Sequence, residues 1–265
     1  MTAIADAPKT STVRWAVSDT MAMIQRSLRH STRQVDALLV TVALPVLLML
    51  MFVYVFGGAI DTGGGNYVDY VVPGIIILCT GFGASTTAVD VATDMTEGII
   101  DRFRSLPIVS SAVLTGHVVA SMARNALATA LVFGVAYLTG FRPNAEPVEW
   151  LAIVAVLLIW VLAMSWLSVC LGLLAGNAEA ASGFTFFVLF LPYLSSAFVP
   201  TDTMPAALQA IADNQPITSI IETVRGLLIG TPIGSSGWLA MAWCAGLLLA
   251  SYIAALVLFR RRAAR

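Results

Sequence analysis

Charge is scarce in this chain. Only 11% of its 265 residues are Asp, Glu, Lys or Arg, and 58% are hydrophobic. Its mean hydropathy is +0.88. A water-soluble domain needs a charged surface, and this composition cannot supply one. The sequence therefore predicts an integral membrane protein and excludes an ordinary soluble domain.

Lysine is almost absent, and this excludes a phosphate-binding P-loop. That loop has the form G-x-x-x-x-G-K-[ST] and needs its lysine to reach the phosphates. The only lysine is Lys9, and no glycine precedes it. The sequence also lacks the G-x-S-x-G and H-E-x-x-H motifs of common hydrolases. We expect no enzyme activity and no cofactor in this chain.

Cysteine and histidine are too few and too far apart in the sequence to form a disulfide-bonded fold or a metal site. The three cysteines, Cys79, Cys170 and Cys244, all fall inside apolar segments, where a thiol acts as a small apolar side chain. His30 and His117 have no metal-ligand spacing. We expect neither a disulfide framework nor a bound metal.

Six apolar segments are each long enough to cross a hydrocarbon core, which takes about 20 helical residues. They are continuously apolar, whereas the strands of a membrane barrel alternate. The sequence predicts an all-α protein with six spans: Ala37 to Ile60, Val71 to Ala92, Ala112 to Phe141, Trp150 to Gly176, Ala180 to Val199, and Trp238 to Phe259. Residues 37–259 form the predicted membrane domain.

The basic residues predict the orientation of these spans. Because basic residues concentrate on the cytoplasmic side, both termini and the loop after the second span are predicted to be cytoplasmic. Residues 1–36 include a basic amphipathic helix on the inner leaflet, with Trp15 as an interfacial anchor, and residues 260–265 form a basic tail. Eleven of the 14 basic residues support this topology: Lys9, Arg14, Arg26, Arg29, Arg33, Arg102, Arg104, Arg260, Arg261, Arg262 and Arg265.

The connection from Pro200 to Gly237 is too long for a tight turn and carries apolar residues at helical intervals. Two short helices are predicted here, on the outer face. Pro205 suits the first position of one, and Pro216 suits the start of the other.

Two charges fall inside predicted spans. Asp90 lies near the cytoplasmic end of the second span, and Arg124 lies within the third. An unpaired charge in a membrane is costly, so we favour a structural ion pair between them. A proton relay is the alternative, and it would suit an ion-coupled secondary carrier.

The loop between the second and third spans is unusually rich in charge for this chain. Its sequence, EGIIDRFRSLPI, runs from Glu97 to Ile108 and spaces Asp101 four residues after Glu97 and three before Arg104. These are helical intervals, and Pro107 would stop such a helix. The pattern is typical either of a docking helix or of a solvated cytoplasmic turn.

Five strings in chain order resemble the membrane subunit of bacterial type-2 ABC exporters of the daunorubicin-resistance type. They are VFGGAI at Val55 to Ile60, YVVPGI at Tyr70 to Ile75, EGIIDRFRSLPI, AFVPTDTMP at Ala197 to Pro205, and NQPIT at Asn214 to Thr218. The resemblance covers nearly the whole chain, and the combination is more specific than any single string.

The resemblance implies that the charged loop is a coupling helix that docks on a separate ATPase subunit. The residues matching this motif are Glu97, Gly98, Asp101, Arg102, Arg104, Leu106 and Pro107. It also implies an assembly of two ATPase chains, which bind ATP and magnesium, with two copies of this permease in a bacterial plasma membrane. Membrane lipid and a hydrophobic substrate are the other expected partners, and no nucleic acid is expected.

Aromatic and hydroxyl side chains suggest a substrate path along the second and fifth spans. An apolar wall with a few hydroxyls suits a flat hydrophobic or amphipathic molecule, although a lipid-facing helix has the same composition. The candidate residues are Phe82, Thr86, Phe187, Phe190 and Tyr193.

The predicted function is export of a drug-like or lipid-like compound. A type-2 permease for a polysaccharide or lipid-linked glycan, an ion-coupled carrier, and a membrane partner that moves no substrate are the alternatives.

Overall fold

The computed structural model describes residues 35–60, 66–98 and 110–263, together with Met21, Ile24, Gln25 and Ser27. These residues contain eight α-helices and no strand, as the apolar patterning predicts. In chain order the helices are α1 Val35–Met51, α2 Tyr67–Thr96, α3 Ser110–Leu138, α4 Pro147–Leu174, α5 Ala178–Phe190, α6 Ala206–Asp213, α7 Pro216–Ile229 and α8 Ser236–Ala263.

Four helical segments are long and apolar enough to cross a membrane: Tyr67–Thr96, Val113–Leu138, Pro147–Leu174 and Ser236–Arg261. Two shorter apolar segments, Thr41–Phe56 and Ala178–Leu194, correspond to the predicted first and fifth spans. The helical class and four of the six predicted spans are therefore supported. The predicted amphipathic helix of residues 1–36 lies largely outside the described residues.

The first and fifth predicted spans are not continuous α-helices. α1 contains Pro45 and passes at Met51 into a π-helical segment, Phe52–Phe56, which ends before Gly57. α5 ends at Phe190, and Pro192 lies in the 3₁₀ turn Leu191–Leu194 that follows. The ring nitrogen of Pro192 carries no hydrogen and cannot donate a hydrogen bond, and a proline disfavours the α conformation in the residue before it. The prediction of one α-helix from Ala180 to Val199 is therefore wrong.

α2 is the central helix of the fold. Every residue from Val71 to Gly81 is buried, and the helix packs against α1, α3, α4, α5 and α7. A helix that is apolar on all sides can be covered by other helices or by lipid, and α2 is covered by other helices. α8 packs against α4 and α7 and leaves most of its apolar surface exposed.

α2 and α4 cross in close contact at Gly172. A Cβ atom there would lie 2.5 Å from the backbone oxygen of Ala88 and 2.9 Å from Cβ of Val91. No real Cβ packs so close to backbone, so a side chain at this position would force the two helices apart.

We expect Gly172→Ala to destabilise the protein by about 1–3 kcal/mol, the usual cost of overpacking a tight core. Gly246→Ala is the matched control, because a Cβ at that helical position of α8 has nothing within 4 Å. The apparent melting temperature of purified protein in mild detergent measures both. A Gly172→Ala variant that melts with the wild type would contradict the close crossing.

The short helices α6 and α7 occupy the connection between α5 and α8, where two helices are predicted. Pro216 is the first residue of α7, while Pro205 precedes α6 as its N-cap. α7 is held by buried Arg225, whose Nε and Nη2 donate to the Tyr70 carbonyl at 3.1 and 3.0 Å. Its Nη2 also donates to the Ser196 carbonyl at 2.7 Å, and its guanidinium lies 3.8 Å from the centre of the Tyr70 ring.

Candidate functional site at the base of helices α2 and α3

Helices α2 and α3 flank the charged loop. Polar and charged side chains of the two helices contact one another near the ends that lead into this loop. Asp90 and Asp94 are spaced i,i+4, so they share one face of α2. His117 and Arg124 are spaced by seven residues, so they share one face of α3. These four residues, with Thr87, form what we call the ion-pair seam.

Asp90 and Arg124 are brought together by this geometry. Nη1 and Nη2 of Arg124 each lie 3.4 Å from Oδ2 of Asp90, and Nη2 also donates to Oγ1 of Thr87 at 3.1 Å. The Arg124 side chain is 3% exposed and that of Asp90 is 16% exposed. Because both side chains are largely withdrawn from water, their mutual attraction offsets part of the cost of that burial.

A second pair lies nearer the loop, about one helical turn along α2 and two turns along α3. Nε2 of His117 lies 3.2 Å from Oδ2 of Asp94, and the imidazole N–H is the donor because a carboxylate can only accept. The sequence spacing of His117 excludes a metal site but does not predict this contact with Asp94. The sequence does carry a signal for this contact. Asp94 lies four residues after Asp90 and His117 lies seven residues before Arg124, so each shares a helix face with a member of the first pair.

Two hydrogen bonds join α4 to its neighbours, one to α3 and one to α2. The Ser165 hydroxyl donates to the Ser121 hydroxyl at 2.9 Å, and Trp160 Nε1 donates to Thr80 Oγ1 at 2.9 Å. Both bonds are buried. α2, α3 and α4 are thus joined by polar bonds as well as by apolar packing.

The loop begins where α2 ends at its C-cap, Glu97. Gly98 follows with a φ of +66°, a left-handed conformation that stops a helix and that glycine adopts without strain. Glu97 is exposed. The other predicted docking residues, Asp101, Arg102, Arg104, Leu106 and Pro107, lie outside the described residues.

The predicted substrate-path residues fall into two groups. Phe82 and Thr86 are half-buried on α2, and the Thr86 hydroxyl donates to the Gly83 carbonyl at 2.9 Å. Phe187 and Phe190 are 74% and 52% exposed, so much of each ring faces away from this chain.

An aromatic row continues from α5 towards α1. Phe190 lies 5.8 Å from Tyr193, Tyr193 stacks on Phe198 at 5.3 Å, and Phe198 stacks on Phe52 at 4.3 Å between ring centres. The row therefore starts on the exposed face of α5 and ends at the π-helical segment after α1.

Four helices long and apolar enough to cross a membrane, packed against one another, are typical of a multi-helix membrane protein. A family model described as ABC-2 type transporter matches residues 18–229. The chain belongs to this family of ABC transporter membrane proteins.

Two similar proteins carry drug-resistance names. The daunorubicin resistance ABC transporter permease protein DrrB1 of Streptomyces coeruleorubidus is 31% identical over 217 residues, which cover 82% of this chain and 77% of the relative. A probable doxorubicin resistance ABC transporter permease protein, DrrC, of Mycobacterium tuberculosis is 22% identical over 251 residues, covering 94% of this chain and 90% of the relative. The predicted resemblance to drug-resistance-type permeases is confirmed.

Proposed function

We propose that this chain is the membrane-spanning permease subunit of an ATP-driven exporter for a hydrophobic or amphipathic compound. The observation that carries the proposal is membership of the ABC-2 transporter family over most of the chain. The names of the two relatives, which refer to daunorubicin and doxorubicin resistance, support a drug-like compound as the substrate.

ATP hydrolysis belongs to a separate subunit in this proposal. Two ATPase chains bind ATP and magnesium, two copies of the permease form the membrane part, and the Glu97 to Pro107 segment of each copy docks on an ATPase. The ion-pair seam supports this arrangement because it lies on the two helices that leave the loop. A movement imposed on the loop would be transmitted to α2 and α3 together, as a rigid body.

The orientation that fits this mechanism places both termini and the loop in the cytoplasm of a bacterium, with the protein in the plasma membrane. The distribution of basic residues supports it, because Arg102 and Arg104 of the loop and Arg260 and Arg261 at the end of α8 then share one side. α6 and α7 then lie at the outer ends of the spans.

Co-purification and flux together test the proposal. The tagged protein is purified from its native membrane in mild detergent, the associated proteins are identified, and export of a fluorescent amphipathic compound is measured in vesicles with and without ATP. An associated ATPase and ATP-dependent flux are expected. Flux driven by a proton gradient without ATP would instead favour an ion-coupled carrier.

We expect Phe187→Ala and Phe190→Ala to change which compounds are exported while the ATPase remains bound. Both rings are largely exposed, so removing one costs little core packing but alters an aromatic surface at the proposed substrate path. Export is compared across a panel of compounds, with Trp238→Ala as the control because Trp238 is 75% exposed on α8. An unchanged preference in both phenylalanine variants would argue against a path along α5.

A further inference from the structure

A groove of about 400 Å³ runs between α3 and α4, and we call it the α3–α4 groove. Each wall is a stripe of residues at helical spacing, so it occupies one face of its helix. The α3 wall consists of Met122, Asn125, Ala126, Thr129, Ala130 and Phe133, and the α4 wall of Trp150, Ile153, Val154, Leu157, Leu158 and Val161. Ile76 of α2 and Leu228 of α7 lie at the base.

The sizes of the side chains explain why there is space between the two helices. At one end the rings of Phe133 and Trp150 lie between α3 and α4, with their centres 5.3 Å apart. Along the middle, α3 contributes Ala126 and Ala130, whose side chains are too short to reach across to α4. Large residues at one end and short ones beside them leave a space that neither helix fills, whereas a protein interior is normally close-packed.

The α3–α4 groove is apolar and opens sideways from the helix bundle. Among the described residues that line it, all except Asn125 and Thr129 are apolar. The Asn125 amide is turned away from the groove, because its Nδ2 donates to the Ser121 carbonyl at 3.0 Å and its Oδ1 lies against Gly83 of α2. Half-exposed side chains form the rim on α4. Because α3 and α4 are both long enough to cross a membrane, this opening faces lipid and not water.

The groove occupies one half of the two spans. On α4 it runs from Trp150 to Val161, which is about 16 Å at helical rise. It begins near the α3–α4 connection, where the Asn144 N–H donates to the carbonyl of Leu228 at the base of the groove. That end is opposite to the one at which α3 leaves the charged loop. One leaflet accounts for about 15 Å of a hydrocarbon core about 30 Å thick, so the groove has the depth of one leaflet.

The width of the groove restricts the shape of what can fill it. A volume of 400 Å³ spread over about 16 Å gives a mean cross-section of about 25 Å², or about 5 Å across. Carbon atoms in contact lie about 4 Å apart, so this width admits one row of methylene groups. A helix with its side chains is about 10 Å across, so a helix from a second copy of the chain would not enter.

We propose that the α3–α4 groove binds one acyl chain of a phospholipid from the leaflet on the side away from the charged loop. The glycerol end of the chain lies towards Trp150, because tryptophan is favoured at the membrane interface, and its terminal methyl lies towards Val161. An empty groove would forgo van der Waals contacts on both walls, and the chain supplies them. This lipid is a resident of the fold and not the exported compound, so the inference does not depend on the proposed function.

Photolabelling in nanodiscs tests the site directly. The permease is reconstituted in dioleoyl phosphatidylglycerol containing a small share of phosphatidylglycerol with a diazirine at the middle of one palmitoyl chain, and the labelled peptides are located by mass spectrometry. Labelling should concentrate on residues 122–133 and 150–161. The exposed apolar face of α8 is the reference for lipid that merely surrounds the protein. Equal labelling of α8 and of the groove would overturn the proposal.

Variants assign the labelling to the groove. Ala130→Phe fills it and should reduce labelling of α3 and α4 to the level of α8. Ala155→Phe is the matched control, because Ala155 is exposed on α4 at the same depth but does not line the groove, and labelling should be unchanged. Ala126→Phe fills the groove one turn away and takes the place of Ala130→Phe if the apparent melting temperature shows that the latter is unfolded. Labelling that persists in a folded filling variant would overturn the site.

Native mass spectrometry measures whether the lipid stays bound. After exchange into a lipid-free mild detergent, the wild type and Ala155→Phe should each retain one more phospholipid per chain than Ala130→Phe. Equal retention by all three would contradict a specific chain in the groove. Cross-linking of Ala130→Cys between two copies in nanodiscs would show that a second permease covers the groove, and this result would overturn the proposal.

Discussion

Arg102→Ala combined with Arg104→Ala is expected to abolish ATP-linked export. In the proposed assembly both guanidinium groups contact the ATPase, and truncating a charged partner at an interface costs about 2 kcal/mol or more. Two such truncations together cost about 4 kcal/mol, so the double variant should bind the ATPase about a thousandfold more weakly. Co-purification of the ATPase and ATP-dependent flux in vesicles are the measurements.

Arg260→Ala combined with Arg261→Ala is the matched control for this experiment. These two arginines are exposed near the end of α8 and are predicted to lie on the same side of the membrane. The two substitutions remove the same amount of positive charge as the loop variant and leave the loop sequence unchanged. Equal loss of export in both double variants would mean that the general charge of this side, and not the loop, is what matters.

Arg124→Leu is expected to have the largest effect on folding. It leaves Asp90 buried without its cation, and breaking one side of a buried ion pair costs about 3–5 kcal/mol. Asp90→Asn combined with Arg124→Gln removes both charges and keeps polar side chains of similar size, so it should be much less damaging. The yield of folded protein and the apparent melting temperature measure these effects.

The same two residues decide between an exporter and an ion-coupled carrier. A proton relay needs a titrating carboxyl group, so the double variant would abolish transport by a carrier even if it folds. In the exporter the pair serves to hold α2 against α3, and ATP-dependent flux should persist in the folded double variant. Arg142→Leu is the control for loss of an arginine, because Arg142 is exposed in the connection between α3 and α4.

The sequence predicts the long, uniformly apolar helices well because length and composition alone define them. The run from Val71 to Gly81 contains no charge, and the structure places it in the centre of the bundle. The interruptions are harder to predict. Pro45 is accommodated within α1, whereas Pro192 coincides with the end of α5, and only the surrounding packing distinguishes the two.

The paired charges of α2 and α3 are predictable only in part. Asp90 and Arg124 were singled out because each lies within an apolar run, and the structure places them in contact. Asp94 and His117 lie nearer the ends of those runs, where polar residues are unremarkable. Their contact depends on how α2 and α3 pack, and hydropathy carries no information about that packing.

The turn after α5 sets an order for assembly during synthesis. The Leu194 carbonyl accepts from Gln215, the Ser196 carbonyl accepts from Arg225 at 2.7 Å, and the Phe198 carbonyl accepts from Tyr67 at 2.9 Å. Buried backbone groups need such partners. Gln215 and Arg225 leave the ribosome after this turn, so the chain can complete the turn only once α7 has been made. A nascent chain that ends before Gln215 would lack the donors for the Leu194 and Ser196 carbonyls. The turn after α5 therefore acquires its hydrogen-bond partners only from residues that are synthesised later.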